Sequence, residues 1–180
     1  MQEVAVRLRF RTACLGNSTR RTKAGDKLFA MPRDDQERVL FLPSWWREAL
    51  DYAAKVRSRY QGLVQQVRWA VHVDGPVRTW RRVVVPASDD PRGRARYSLH
   101  EAFRPDAVVA TTAVLPTGLG IAAFIDLLTV AGTYSGISPF KDMKFTYGLF
   151  DVVSVLPTAT RQLAVGGGHG SVDSPVRESH

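Results

Sequence analysis

Val4-Ala5-Val6-Arg7-Leu8-Arg9-Phe10-Arg11 sets the fold of this 180-residue chain. Val4, Val6, Leu8 and Phe10 fall on one parity, and Arg7, Arg9 and Arg11 on the other. Side chains of a strand alternate between faces, so the run predicts a strand that buries one apolar face and presents three guanidiniums on the opposite one. Water is the usual neighbour of such a face, but three aligned cations also make a rail for phosphates.

Outward from this strand, residues 16–40 are polar and basic, with Gly16, Asn17, Gly25, Pro32 and Asp34-Asp35 as breakers, and read as a long loop. A helix is predicted from Pro43 to Tyr60: proline suits a first turn, and Trp46, Ala49, Leu50, Ala53, Val56 and Tyr60 recur at helical spacing. Two strands follow. Val67, Trp69, Val71 and Val73 alternate with Arg68, Ala70 and His72; Asp74-Gly75-Pro76 turns the chain; the next strand, from Val77 to Val85, places Arg78, Trp80 and Arg82 on one parity. Residues 86–106 read as a second irregular, Arg-rich loop. Ala107 to Leu115 returns to strand character, and Pro116-Thr117-Gly118 announces a helix carrying Ile121, Phe124, Ile125, Leu128 and Ala131, ended by Gly132 and Gly136. A last strand runs from Tyr147 to Leu156.

This order predicts a ferredoxin-like α+β sandwich of βαββαβ plan, with an inserted strand or loop region in its middle. The expected organisation is one domain over 1–162 and a flexible, Gly- and Ser-rich tail over 163–180. Helices in this plan cover one sheet face and leave the other open. Arg7, Arg9 and Arg11 are expected there beside Arg68 and His72, and beside Arg78, Trp80 and Arg82, as a basic face with one aromatic platform for single-stranded nucleic acid. A solvated sheet face with arginines paired to scattered carboxylates has the same pattern. Trp45 next to Trp46 reads as one core residue and one exposed residue, which with Tyr134 would suit a partner.

The net charge of +8 favours anionic partners, nucleic acid before a membrane surface or an acidic protein. It is carried by 20 Arg and 5 Lys, a bias that fits bidentate phosphate contact and equally a GC-rich genome. The single cysteine, Cys14, leaves no internal disulfide or thiolate zinc cluster, and its place just past an apolar strand reads as a small core residue. No apolar run approaches the roughly 18 residues of a membrane span, and no signal peptide is evident, so the chain is expected to be cytoplasmic with no membrane partner.

No active site emerges. His72, His100, His169 and His180 show no metal-ligand spacing, so no metal and no cofactor is implied. Ser98 and His100 lack a third partner. Gly166-Gly167-Gly168-His169-Gly170 lacks the Gly-Lys-Ser/Thr ending of a phosphate loop, and Asp89-Asp90-Pro91 is a turn.

Phe41-Leu42-Pro43-Ser44-Trp45-Trp46-Arg47-Glu48-Ala49-Leu50 resembles the segment that opens the first helix of the RAMP superfamily, the ferredoxin-fold subunits that hold guide RNA in CRISPR effector complexes. Pro43, Ser44, Arg47, Ala49 and Leu50 match; two glycines are missing and one position is deleted. Gly132, Gly136 and Gly148 stand where that superfamily carries a glycine-rich loop, without its full spacing. The layout also looks like small relatives from phage and archaeal genomes. The resemblance implies RNA binding and side-by-side oligomerisation along RNA, as a homo-oligomer or within a multi-subunit complex. Some of these subunits cut RNA with a loop aspartate between the first strand and first helix; Asp26, Asp34 and Asp35 lie in that region and read as turn or charge-balancing residues.

The resulting expectation is a non-catalytic, RAMP-like single-strand binding subunit. Arg7, Arg9, Arg11, Arg47, Arg78 and Arg82 would contact phosphates, Trp80 would stack, and Arg20, Arg21 and Lys23 would form a loop clamp. RNA versus DNA stays open at this point. The competing readings are a self-assembling structural protein and a single-stranded DNA-binding or annealing protein.

Overall fold

The comb does form a strand. In the computed structural model, which describes residues 1–84, 96–140 and 146–158, β1 (Gln2–Phe10) buries Val4, Val6, Leu8 and Phe10 and exposes Arg7 and Arg9. The expected tail over 163–180, Asp89-Asp90 and the arginines at 92 and 94 lie outside the described residues.

The described residues form two sheets. The next elements in the chain are β2 (Cys14–Leu15), β3 (Ser18–Arg21) and β4 (Lys27–Ala30), then helix α1 (Pro43–Arg57), the short helix α2 (Gln61–Val64) and β5 (Arg68–Trp69). They are followed by β6 (Val77–Val84), β7 (Arg96–Phe103), β8 (Val108–Leu115), helix α3 (Ile121–Val130) and β9 (Phe150–Pro157). The first sheet has the order β5-β8-β1-β9, and every neighbouring pair is antiparallel. α1 precedes β5 and α3 precedes β9. The result is an α+β fold compatible with a ferredoxin-like arrangement.

Both helices lie on the buried parity of β1. Trp46, Ala49, Leu50 and Ala53 of α1 and Phe124, Leu127 and Leu128 of α3 share one core with Val4, Val6, Leu8 and Phe10. Pro43 starts α1 with its fixed φ, Lys55 and Arg57 complement the dipole in its last turn, and Ser58 ends it in the left-handed region at φ 52°. Across the helix pair, Arg57 grips the Asp126 carboxylate through Nε (2.8 Å) and Nη2 (2.5 Å).

The expected loops hold strands instead. Residues 16–40 contain the β3–β4 hairpin, and residues 86–106 contain β7. β3 is masked because Ser18-Thr19-Arg20-Arg21 has no apolar parity to betray it, and β7 because His100 and Glu101 put polar residues on both of its parities. β7 is the hub of this second sheet, antiparallel to β6 and β2 and parallel to β4. Phe103, paired with Cys14 and Val77, belongs to the main core, stacked on Phe10 at 5.8 Å. Leu15 and Ala102 face the other way and start a smaller cluster with Trp80, Phe140 and Tyr147.

Trp45 and Trp46 are both buried, correcting the expectation that one is exposed. Trp46 stacks on Trp69 of β5, with ring centroids 3.7 Å apart, while Trp45 packs against Phe41 at 5.6 Å. The segment leading into α1 returns Phe41 to the core, and so provides a wall for Trp45 that helical periodicity alone does not suggest.

After α3 the chain widens into a π-helical turn, Ala131–Ser135, closed by the Gly136 amide donating to the Ala131 carbonyl. The glycine-rich stretch then has a steric reason. Gly136 and Gly148 both take positive φ, 72° and 74°. A Cβ on Gly136 would sit 2.6 Å from the Tyr147 carbonyl oxygen, and one on Gly148 would sit 2.6 Å from that of Ile137. This close crossing brings β9 beside β1. Cys14, in the same region, donates its thiol to the Ile137 carbonyl at 2.9 Å, and burial pushes its pKa up, so it is an inert core residue.

Candidate nucleic-acid interface

The helix-free face of the first sheet carries Arg7 and Arg9 on its inner strand. Arg7 is flanked by Ala110 on β8 and Ser154 on β9; Arg9 is flanked by Val108 and Asp151. A bulge at Val153 shifts the β9 register between Arg7 and Leu8. The face thus carries two adjacent guanidiniums among Ala5, Val108, Ala110, Thr112 and Ser154, with the Asp151 carboxylate beside Arg9 and that of Glu3 four residues along β1 from Arg7. Arg68 lies on the same parity, opposite Val114 at the other edge.

Arg11 lies beyond the strand end. Its Nη2 donates to the Gly132 and Thr133 carbonyls at 3.1 and 3.4 Å, and its Nε lies 3.4 Å from Asp151. It ties the π-helical turn to β1 and β9.

Arg78, Trp80 and Arg82 do not join the β1 face. They are on β6, in the second sheet, because β5 is only two residues long and the chain leaves the first sheet before β6 begins. Their parity matches Ala102, His100 and Ser98 on β7. Phe140 and Tyr147 pack over this side: the Arg82 guanidinium lies 4.7 Å from the Phe140 ring centre and 5.6 Å from that of Tyr147. Trp80 is half-buried against Ala13, Leu15 and Ala102, and Arg78 is exposed at the start of the strand.

The β3–β4 hairpin presents Arg20, Arg21 and Lys23 to solvent, with Lys27 alongside. Arg20 pairs with Glu37 at 3.3 Å and Arg21 donates to the Gly25 carbonyl at 3.1 Å. Arg47, exposed in the second turn of α1, shares a cleft of about 360 Å³ with Arg68, between the start of α1, α2 and β5. Sequence reading places both residues singly; their meeting depends on the sheet order.

Asp34, one of the three loop aspartates, is fully occupied. Oδ1 accepts the Gln36 and Arg38 amides at 3.0 and 2.8 Å, and Oδ2 lies 2.8 Å from both Arg38 Nε and His72 Nε2. Burial opposes its ionisation but is outweighed by the Arg38 amide, the His72 ring and the Arg38 guanidinium, which hold it below the ordinary carboxylate range. It is a turn residue that fastens the segment after β4 to His72. Asp26 and Asp35 are exposed in turns.

His100 gains the third partner that the sequence hides. It is fully buried, stacked on Phe29 at 4.8 Å and edge-on to Phe140 at 4.9 Å. Nδ1 lies 2.9 Å from the Gly16 carbonyl, which can only accept, so Nδ1 carries the proton and Nε2 accepts from the Ser98 hydroxyl at 2.8 Å. Burial first, then the Arg82 charge, push its pKa below 6.5, against the pull of the Gly16 carbonyl. The unfolded chain therefore takes up a proton here before the folded one does. His100 is expected to contribute stability above about pH 6.5 that is lost progressively as pH falls. Denaturant titrations across pH 7.5 to 5 should show this slope, flattened in His100→Gln; an unchanged slope in the variant would remove the assignment. Asp34 acts in a separate, lower window, because its folded pKa lies below the unfolded one and its contribution is lost only as carboxylates protonate.

No family model matches the chain, and no curated protein matches it. Among solved structures, it is similar to a chain in the cryo-EM structure of the type III-B Cmr-beta bound to cognate target RNA, with a TM-score of 0.63 and 10% identity. That likeness is one of fold. It covers 87% of this chain and 60% of that one, so this chain spans less than two thirds of the neighbour's length. Among the described residues no helix is long and apolar enough to cross a membrane.

Proposed function

We propose that this chain is a ferredoxin-like, RAMP-like subunit that binds single-stranded RNA within a larger assembly. The observation that carries the reading is the Arg7–Arg9 pair, exposed side by side on the helix-free face of the sheet, with Ala110, Val108 and Ser154 leaving room for a strand and Asp151 as the one acidic residue directly beside it. The fold shared with a chain of the RNA-bound Cmr-beta structure supports it. Arg7 and Arg9 take phosphates, Arg47 and Arg68 take a further one at the start of α1, and Arg20, Arg21 and Lys23 clamp from the hairpin. Arg78, Arg82 and the half-buried Trp80 form a second, separate basic surface on β6 rather than an extension of the first. Arg11 acts indirectly, by fixing the strand end.

The test is binding of a labelled uridine strand of about 12 nucleotides to protein freed of nucleic acid by nuclease treatment. Saturable binding at low salt, weakened as salt rises, is expected. No binding at low salt would overturn the reading. A self-assembling structural protein is the second reading, favoured by β9, an edge strand that exposes Val153 and Leu156. Stable oligomers from a protein that binds no strand would select it.

A further inference from the structure

A cleft of about 510 Å³ opens between one flank of α1 and the π-helical turn, away from the arginine pair. Glu48, Asp51, Tyr52 and Lys55 line it from α1, Tyr134 and Ser135 from the turn, and Thr146 from the segment before β9. Four features set it apart. Tyr134 and Tyr52 are the largest exposed aromatics bordering it, and neither ring packs on another aromatic ring among the described residues. Ser135 is 7% exposed, yet its hydroxyl makes no hydrogen bond among the described residues. Asp51 and Lys55, one helical turn apart, form no ion pair there with each other or with any other side chain. The backbone supplying Tyr134 and Ser135 is a π-helical turn pressed onto β9, where Gly132 leaves no room for a Cβ beside the Phe150 carbonyl.

We propose that this cleft receives a guanine base extruded from the bound strand. The inference rests on the single-strand RNA reading and deepens it. A carboxylate accepts two adjacent donors, and guanine alone among the four bases offers two, N1–H and N2–H, beside an acceptor, O6. Asp51 accepts the donor pair; the Lys55 ammonium or the Ser135 hydroxyl donates to O6. Adenine and cytosine set an acceptor against the carboxylate, and uracil offers one donor between two acceptors. Tyr134 or Tyr52 supplies the stacking face. An arginine side chain of a protein partner would satisfy Asp51 and the rings, but would leave Lys55 and Ser135 without an acceptor. The Glu48 and Asp51 carboxylates also repel phosphate, so the backbone passes outside the cleft and only the base enters.

The test compares uridine strands carrying one central G, A, C or U, together with guanosine monophosphate alone, against the wild type and Asp51→Asn, Ser135→Ala and Tyr134→Ala, with each variant's melting curve checked. The G strand is expected to bind on the order of tenfold tighter than the others. Asp51→Asn should bring the affinity for the G strand to that of the other three. Equal affinities for the four strands overturn the guanine assignment and leave strand binding standing. Retention of guanosine monophosphate without any strand binding overturns the strand reading and leaves the assignment of the cleft. A G preference that survives Asp51→Asn places the base elsewhere and also overturns it.

Discussion

Trp46→Ala is expected to lower the unfolding free energy by about 3–5 kcal/mol, the range for deleting a fully buried large side chain. Trp46 is 1% exposed and lies flat on Trp69, with 4° between the rings, so its loss opens a void that two backbones border. β5 holds the first sheet by only two residues, and the indole stack is what fixes it against α1. The unfolding midpoint in denaturant should fall, and β5 should lose hydrogen-exchange protection first. Trp46→Phe should cost much less than the lost area implies, because the Trp46 Nε1–H is buried without an acceptor among the described residues and phenylalanine removes that unsatisfied donor. A loss in Trp46→Phe as large as its change in buried area implies would show that the indole nitrogen is satisfied.

Arg7→Gln combined with Arg9→Gln is expected to weaken single-strand RNA binding about 100-fold, close to tenfold for each charge-assisted phosphate contact removed. Stability should change by no more than about 0.5 kcal/mol, because both side chains are solvent-exposed and have no ion-pair partner among the described residues. Glutamine is the right replacement: Asp151 faces Arg9 across the β1–β9 pair, and a glutamate there would weaken the strand pairing itself. The same two substitutions at Arg78 and Arg82 should weaken binding less, because the Arg82 guanidinium is held over Phe140 and Tyr147 on a separate sheet.

Much of the fold can be read in the sequence, and what cannot has physical causes. β1 is legible because Val4, Val6, Leu8 and Phe10 alternate without a break, and α1 because Pro43 precedes a continuous stripe. The second sheet is not, because β3 has no apolar face and β7 mixes polar and apolar residues on both parities, His100 among them. Sheet membership is the other blind spot. Parity correctly places Arg78, Trp80 and Arg82 together, but it carries no information about which strand β6 pairs with, and that pairing decides whether they extend the β1 face. The arginine pair is visible from local pattern alone. The Arg47–Arg68 cleft and the Asp51–Ser135 cleft are not, because each joins residues brought together only by the packing of α1. The neighbouring tryptophans mislead for a related reason: helical geometry separates Trp45 from Trp46, but Phe41 builds a second buried wall.

Whether the Arg7–Arg9 face holds the strand is read from the salt dependence of binding to a uridine strand, with log affinity plotted against log salt for the wild type and for Arg7→Gln/Arg9→Gln. Each single-strand phosphate contact contributes a slope of about −0.7, so removing both arginines should flatten the line by roughly 1.4. Parallel lines for the two proteins would mean that the strand is bound somewhere other than the face that carries Arg7 and Arg9.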